Sequence, residues 1–243
     1  MIGMPKISVV SAVYNSEEYL PGLVESLRAQ TDRDFEWIVS DGCSTDGTVR
    51  ILEAASDVLT KFSSRRDNGI YDALNDAIKL SSGEYYLVLG ADDRLSPDAI
   101  AEYKNAAASS NADIITAKVK VGERLLSRHR SRPVWVACMM SYISNHSVGC
   151  LARRSIHEKI GYYSLKYPIC ADQLFVKSAF QHGATLFEGD FLAGTCGDAG
   201  ASSQTPQVIS EMYQIQLETG ENRFVQYLLY LYRMARAIMF KKK

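Results

Sequence analysis

The chain has 243 residues, which is enough to bury one substantial core, and its 27 basic residues nearly balance its 28 acidic residues. This balance excludes the strongly basic surface with which many proteins bind nucleic acid, so no nucleic-acid partner is expected. The five cysteines have no Cys-x-x-Cys spacing, and neither a zinc site nor a disulfide framework follows from them. Because there is no secretory signal and no apolar run of about 20 residues, the expected location is the cytoplasm.

Strand-like and helix-like segments alternate over the first 120 residues. Buried strands of a parallel sheet are predicted from apolar, β-branched runs at residues 7–14, 35–40, 85–90 and 112–119. Apolar residues at helical spacing predict helices between them, including one that begins at Asn15, one over 70–80 and one capped by Ser96. This order predicts an α/β fold with helices on both faces of the sheet and ligands at the carboxyl ends of its strands.

Polar side chains follow three of these strands. They are Tyr14 and Asn15, then Asp41, Ser44 and Asp46, then Asp92 and Asp93. Because the carboxyl ends of parallel strands meet at one edge of a sheet, we expect these groups to line one crevice, although each group alone is equally typical of a turn or a helix cap. Paired carboxylates suit a hard cation such as Mg²⁺ or Mn²⁺, which often shares its ligands with phosphate groups. No P-loop, dinucleotide-binding or nucleophile-elbow motif is present, so a metal-assisted site for a nucleotide diphosphate is predicted.

Four motifs carry a resemblance to a known family. The stretches VVSAVYN, IVSDGCSTDGT, RRDNGIYDALNDAI and LVLGADD resemble, in order and spacing, the family 2 glycosyltransferases, and are similar to the bacterial enzymes that build O-antigen, capsule and exopolysaccharide. The resemblance implies a GT-A fold, with a Rossmann-like and mostly parallel sheet, over residues 1–205. Residues 1–120 would form the nucleotide-sugar-binding half and 121–205 the acceptor-side half, followed by a C-terminal amphipathic helical extension at 206–243.

The resemblance also implies a donor and metal site. Asp41 would accept a hydrogen bond from a uracil ring, and Asp92 would bind Mg²⁺ or Mn²⁺ with Asp93 as a supporting metal contact. Gly90 stands where the family usually has Asp or Asn, which removes one protein contact to the metal. The other residues expected to contact the nucleotide or the donor sugar are Ala12, Tyr14, Asn15, Ser44, Arg66, Asp67, Tyr71, Asn75 and Ala91.

The acceptor side of the resemblance rests on the stretch that contains CADQLF. Asp172 matches the family's general base, which would deprotonate an acceptor hydroxyl, although an aspartate at a helix N-terminus is also favoured by the helix dipole. His146 is a candidate acceptor or phosphate contact. Residues 197–202 resemble a Gly-rich loop late in the family's catalytic domain. The implied reaction is an inverting transfer of a sugar from a UDP-sugar to a glycan or polyprenyl-diphosphate-linked acceptor in surface polysaccharide biosynthesis.

Two other functions were weighed against this one. A non-catalytic nucleotide-sugar-binding subunit on the same fold is favoured by Gly90, whereas the presence of Asp92 and Asp172 favours an enzyme. A sugar nucleotidyltransferase usually has a basic, Gly-rich loop after its first strand, and SAVYNSEEYL does not resemble one.

Residues 223–243 predict an amphipathic helix with a broad apolar face and a terminal Lys-Lys-Lys sequence. Arg233 and Arg236 are too central for a comfortable membrane span. Two interpretations remain open at this point. The helix lies on an anionic membrane at the inner face of the cell, or it packs on its own domain or on a second subunit.

Overall fold

The computed structural model describes residues 4–144, 146–197 and 206–240, and this part of the chain forms one nine-stranded sheet with helices around it. The strands are β1 (Ile7–Val13), β2 (Phe35–Asp41), β3 (Lys61–Ser64), β4 (Tyr85–Val88), β5 (Arg94–Leu95), β6 (Ile114–Val121), β7 (Arg124–Leu126), β8 (Cys150–Arg153) and β9 (Leu186–Cys196). The helices are α1 (Leu20–Arg28), α2 (Thr48–Ala54), α3 (Ile70–Leu80), α4 (Ala99–Ser110), α5 (Val134–Ala137), α6 (Ile156–Ile160), α7 (Ala171–Gln181), α8 (Pro206–Glu218) and α9 (Arg223–Phe240).

The sheet has the order β3-β2-β1-β4-β8-β6-β9-β5, and β7 forms a hairpin with the end of β6, beyond the residues of β6 that pair with β8. The strands β3, β2, β1 and β4 are parallel to one another, whereas β8 is antiparallel to both β4 and β6. The chain moves outward from β1 to β2 and β3, then returns to place β4 on the opposite side of β1. This reversal of strand order creates a crevice at the carboxyl ends of β1 and β4, the place where such sheets bind ligands.

Two hydrophobic cores cover the two faces of the sheet. Within β1, Val9 and Val13 point into the first core and Val10 into the second, because successive strand residues face opposite sides. The first core is completed by α1, α2 and α4, and the second by α3, α7 and α8. The predicted α/β class, with helices on both faces, is therefore confirmed. Because α8 contributes Val208, Met212 and Ile215 to the second core, it is part of the folded domain.

Two predicted helix starts are wrong. The first helix begins at Leu20 rather than Asn15, because Asn15 has a positive φ of 46° and uses its side chain to hold the loop after β2. The helix expected to be capped by Ser96 begins at Ala99, after a turn in which the Ala99 N–H donates to the Ser96 carbonyl over 3.0 Å. The helix predicted over residues 70–80 is confirmed as α3.

Among the described residues, no helix is long and apolar enough to cross a membrane. The predicted Gly-rich loop at 197–202 lies outside the described residues after Gly197. The predicted boundary between residues 205 and 206 adjoins the same undescribed stretch.

Candidate active site

The loop after β2 forms the floor of the crevice, and hydrogen bonds from both neighbouring strands hold it. The Asn15 N–H donates to Ser44 Oγ over 2.8 Å, and the Thr45 N–H donates to Asn15 Oδ1 over 2.9 Å. The Asp41 carboxylate is fully buried and accepts hydrogen bonds from the Ser44 N–H and from the hydroxyl groups of Ser44 and Ser64. These bonds occupy the acceptor positions of both Asp41 oxygens and fix the loop.

Tyr14 and Asp67 both lie next to Gly42 in this floor, and Arg66 directly precedes Asp67 in the sequence. The Tyr14 ring is 62% exposed at the end of β1, and Arg66 is exposed on the neighbouring loop. A Cβ atom added at Gly42 would lie 2.8 Å from Asp67 Oδ2 and 3.3 Å from Tyr14 Cδ2, so the absence of a side chain at Gly42 allows both groups to approach the loop. An aromatic ring and a carboxylate therefore lie beside the loop, with a basic residue next in sequence, and such groups suit a nucleoside diphosphate.

The turn after β4 places the two adjacent aspartates in different surroundings. Asp93 is 2% exposed, and its Oδ2 accepts the Gly90 N–H over 2.7 Å. Burial raises the pKa of Asp93 to about 7 against the effect of the Gly90 N–H, and the neighbouring Asp92 charge adds to the rise. Asp92 is the partly exposed carboxylate of the pair. The structure thus uses Asp93 to brace the turn and leaves Asp92 as the carboxylate open to a cation.

Two glycines flank the Asp92 carboxylate. A Cβ atom at Gly90 would lie 3.0 Å from Asp92 Oδ1, and one at Gly197 would lie 2.4 Å from Asp92 Oδ2. The end of β9 therefore passes directly against this carboxylate, a contact that the sequence pattern did not reveal. No three His, Cys, Asp or Glu side chains within 4–144, 146–197 and 206–240 are grouped to hold a metal ion. A cation here would have to complete its shell with phosphate oxygens and water.

His146 lies beside this turn, with its Nε2 3.9 Å from Asp93 Oδ1. Burial lowers the pKa of His146, although the Asp92 charge acts in the opposite direction. The imidazole is therefore neutral near pH 7, and it can serve as a hydrogen-bonding group rather than as a positive charge.

Asp172 occupies the first turn of α7, where the second core meets the crevice. Its Oδ1 accepts hydrogen bonds from the Gln173 N–H over 2.8 Å and from the Tyr71 hydroxyl over 3.0 Å, and the same hydroxyl is 2.8 Å from the Ile169 carbonyl. Burial raises the pKa of Asp172 to about 6, and the bonds from Tyr71 and Gln173 oppose the rise. The described hydrogen bonds reach Oδ1 alone, so Oδ2 remains open to a ligand. This carboxylate is ionised at pH 7 yet more basic than an ordinary aspartate.

A small, mainly apolar cavity lies between Asp172 and the end of β4. Val88, the last residue of β4, lines it together with Asp172, and Ser147 next to His146 lines it from the other side. The remaining lining residues are Tyr86, Met139, Ile143, Cys150, Ala152, Tyr163, Phe175 and Val176. The predicted base therefore borders the same cavity as the end of β4, although 84 residues separate Val88 from Asp172 in the sequence.

Three residues predicted to contact the donor have side chains that are buried or partly buried. The Asn75 side chain is buried and pairs with the backbone of Tyr163, donating to its carbonyl and accepting from its N–H, both over 2.9 Å. Ala12 packs partly against the second core and Ala91 partly against the first. The structure thus gives Asn75 a structural contact, and the two alanines bring only small side chains to the crevice edge.

Glu211 is a residue of this region that the sequence analysis missed. It lies on α8, and its Oε2 accepts the Ile169 N–H over 3.0 Å and the Cys170 N–H over 2.9 Å. These two groups directly precede α7, so Glu211 fixes the start of the helix that carries Asp172. No local pattern could have found this contact, because 39 residues separate Glu211 from Asp172.

Comparisons with known sequences agree with this geometry. The sequence profile of the family described as Glycosyl transferase family 2 matches residues 8–183. An uncharacterised glycosyltransferase of Mycobacterium tuberculosis is 31% identical over 192 residues, which cover 74% of this chain and 70% of that protein. The chondroitin synthase of Escherichia coli is 38% identical over 99 residues, which cover 40% of this chain and 14% of the synthase.

Solved structures share the fold over nearly the whole chain. TarS of S. aureus in complex with UDP-GlcNAc has a TM-score of 0.71 at 20% identity, covering 97% of this chain and 73% of that one. The mannosyltransferase PcManGT from Pyrobaculum calidifontis, in complex with GDP-Man and Mn²⁺, has a TM-score of 0.69 at 16% identity, covering 98% of this chain and 76% of that one. With the family profile matching most of its length, this chain belongs to glycosyltransferase family 2 and has the GT-A fold.

Proposed function

We propose that the chain transfers a sugar from a UDP-sugar, with inversion, to a hydroxyl group of a glycan or a polyprenyl-diphosphate-linked acceptor in bacterial surface polysaccharide biosynthesis. The observation that carries this proposal is the Asp172 carboxylate, whose pKa burial raises to about 6 and whose Oδ2 is open, at a cavity beside the end of β4. The choice of a UDP-sugar is supported by TarS, which shares the fold and has been solved with UDP and with UDP-GlcNAc.

The donor half of the proposed site is residues 1–120, and the acceptor half is 121–205. The UDP moiety would contact Tyr14, Arg66 and Asp67, next to the floor that Asp41 holds together. The acceptor hydroxyl would enter the cavity at Asp172. We place the reaction in the cytoplasm, a compartment that suits a chain whose five cysteines form no disulfide within the described residues.

The chemistry assigned to the protein is a single displacement. Asp172 Oδ2 removes the proton of the acceptor hydroxyl as the hydroxyl oxygen attacks the anomeric carbon of the donor sugar. The bond between that carbon and the departing UDP breaks at the same time. Attack opposite the leaving group inverts the anomeric centre without a covalent enzyme intermediate. The partly exposed Asp92 fits a Mg²⁺ or Mn²⁺ ion that shares its ligands with the diphosphate, and such an ion would supply positive charge for the departing group.

The alternative, a non-catalytic subunit that binds nucleotide sugars, is favoured by Gly90. This glycine leaves the metal-binding turn with fewer carboxylates than the family motif usually provides. The raised pKa of the Asp172 carboxylate weighs against it, because a binding subunit has no use for a poised proton acceptor.

Two measurements on the same proteins test the proposal. Isothermal titration of UDP into the wild-type chain, with Mn²⁺ and then with EDTA, should give metal-dependent binding that Asp92→Ala weakens at least tenfold. Transfer from UDP-sugars to glycan or lipid-linked acceptors should fall at least 100-fold in Asp172→Asn, a loss at the low end of what a general base contributes. UDP binding by this variant should stay unchanged.

Asp57→Asn is a matched control, because Asp57 is an exposed aspartate paired with Arg28 on the surface. Binding of UDP without transfer in the wild type and in all variants would favour the binding subunit. An Asp172→Asn variant that transfers sugar normally would remove Asp172 from the mechanism.

A further inference from the structure

The outer face of α9 is apolar. Large apolar or aromatic side chains on this face are between 45% and 70% exposed, namely Phe224, Tyr227, Leu228, Leu231, Tyr232, Ile238 and Met239. At about 100° per residue these positions fall within one arc of about 140°, which runs the full length of the helix. An exposed apolar stripe of this length is unusual on a folded monomer and marks a surface that contacts something else.

The polar face of α9 points in the opposite direction, toward its own domain. Gln226 is 1% exposed, and its Nε2 donates to the Trp135 carbonyl over 2.8 Å. Arg233 donates to the Val136 carbonyl, and the Tyr230 ring lies 5.1 Å from the Tyr213 ring of α8. A helix on the surface of a soluble domain normally buries its apolar side and exposes its polar side. Here the orientation is reversed, so packing on its own domain does not explain the apolar stripe.

The charge of this segment identifies the kind of surface that it fits. Residues 223–243 contain six of the chain's 27 basic residues and none of its 28 acidic residues. Arg236 lies at the edge of the apolar arc, with its guanidinium 5.8 Å from the centre of the Tyr232 ring. Isologous pairing with a second copy would bring these positive charges against one another, whereas an anionic lipid surface complements them.

We propose that α9 is a membrane-docking helix that lies in the plane of an anionic phospholipid bilayer. Its apolar stripe would enter the boundary between headgroups and acyl chains, and basic residues other than the inward-facing Arg233 would contact lipid phosphates. The helix is about 27 Å long and is held to the domain by its inner face, so it would dock the whole domain on the membrane surface. The proposal does not depend on the transferase activity, since membrane binding can be measured without donor or acceptor.

Cosedimentation of the full chain with vesicles tests the proposal. The wild-type chain should bind vesicles with 30% anionic phospholipid at least tenfold more tightly than purely zwitterionic vesicles, and 0.5 M NaCl should weaken the binding. Leu231→Glu should lower the affinity for anionic vesicles at least tenfold. Leu80→Glu is the matched control, because Leu80 is 44% exposed at the end of α3 and Leu231 is 45% exposed, and this variant should bind as the wild type does.

Tryptophan fluorescence adds a readout that needs no variant. The two tryptophans are Trp37, which is fully buried, and Trp135, which is 43% exposed on the segment that contacts α9. A blue shift on adding anionic vesicles would therefore report the surroundings of Trp135. Equal binding of both vesicle types or of both leucine variants would overturn the proposal. The proposal would also be overturned if the wild type did not bind vesicles and instead formed a dimer in analytical ultracentrifugation that Leu231→Glu dissociated.

Discussion

Removing the hydroxyl group of Tyr71 should move the pH dependence of sugar transfer toward alkaline pH. The Tyr71 O–H donates to Asp172 Oδ1 over 3.0 Å and so favours the ionised carboxylate, whose pKa burial has raised to about 6. Glu211 is the other carboxylate whose charge acts on Asp172, and it raises the pKa. In Tyr71→Phe the pKa of Asp172 should rise further. A general base acts only when ionised. As the pH is lowered, the variant should therefore lose activity at a higher pH than the wild type does.

The size of the shift follows from the strength of one hydrogen bond. A hydrogen bond to a charged group contributes about 1.5–3 kcal/mol. The Tyr71 hydroxyl also lies 2.8 Å from the Ile169 carbonyl and shares its one proton between two acceptors, so its bond to Asp172 should be near the lower value. About 1.4 kcal/mol corresponds to one pH unit. The acidic limb of the kcat/KM profile should therefore move up by about one unit. At pH 6 the variant should be about fivefold slower, and at pH 8.5 nearly equal to the wild type.

The assay is a kcat/KM profile from pH 5 to 9 with saturating metal. Tyr163→Phe is the control, because it removes a buried hydroxyl that contacts Tyr86 rather than Asp172, and its profile should keep the wild-type midpoint. A Tyr71→Phe enzyme that is slowed equally at every pH would show that the hydroxyl only positions groups. An unmoved acidic limb would refute the assignment of that limb to Asp172.

Three further outcomes follow from the same structure. Gly90→Asp should raise Mn²⁺-dependent UDP affinity several-fold in calorimetry, because it adds a carboxylate close to those of Asp92 and Asp93. Without metal the three negative charges repel one another, so the melting temperature in EDTA should fall. Glu221→Ala should cost about 3 kcal/mol in urea unfolding, because it leaves the buried Lys177 ammonium without its anionic partner, whereas Glu123→Ala at the exposed pair with Lys120 should cost under about 1 kcal/mol. Asp172→Asn should stabilise the protein by about 3 kcal/mol at pH 8 and hardly at pH 4. The folded-state pKa of about 6 exceeds the usual value of 3.8, so ionisation costs stability as the pH rises through this range.

The donor side of the crevice could be predicted from sequence because it depends on local patterns. Apolar runs gave the strands β1, β2, β4 and β6, and the parallel order places whatever follows β1, β2 and β4 at one edge. Tyr14, Asp41 and Asp92 are therefore found at that edge. The short edge strand β3 was missed because its residues are mostly exposed and show no apolar alternation.

The support of the acceptor side could not be predicted, because its contacts join distant segments. Tyr71 and Asp172 are 101 residues apart, and Glu211 reaches the start of α7 from a third segment. Propensity and periodicity carry no information about such pairs. The same limit explains Asn75, whose motif indicated a donor contact while its amide pairs with the backbone of Tyr163, 88 residues away.

The orientation of α9 follows from an unrelated feature of the fold, the four-residue helix α5. A helix this short cannot satisfy its last carbonyl groups internally. The carbonyls of Val134, Trp135 and Val136 instead accept hydrogen bonds from Gln216 of α8 and from Gln226 and Arg233 of α9. The polar stripe of α9 is thus required on the inside, which forces its apolar stripe outward. Amphipathic periodicity gives the two stripes but not which of them faces the domain, and the hydrogen bonds to these carbonyls decide it.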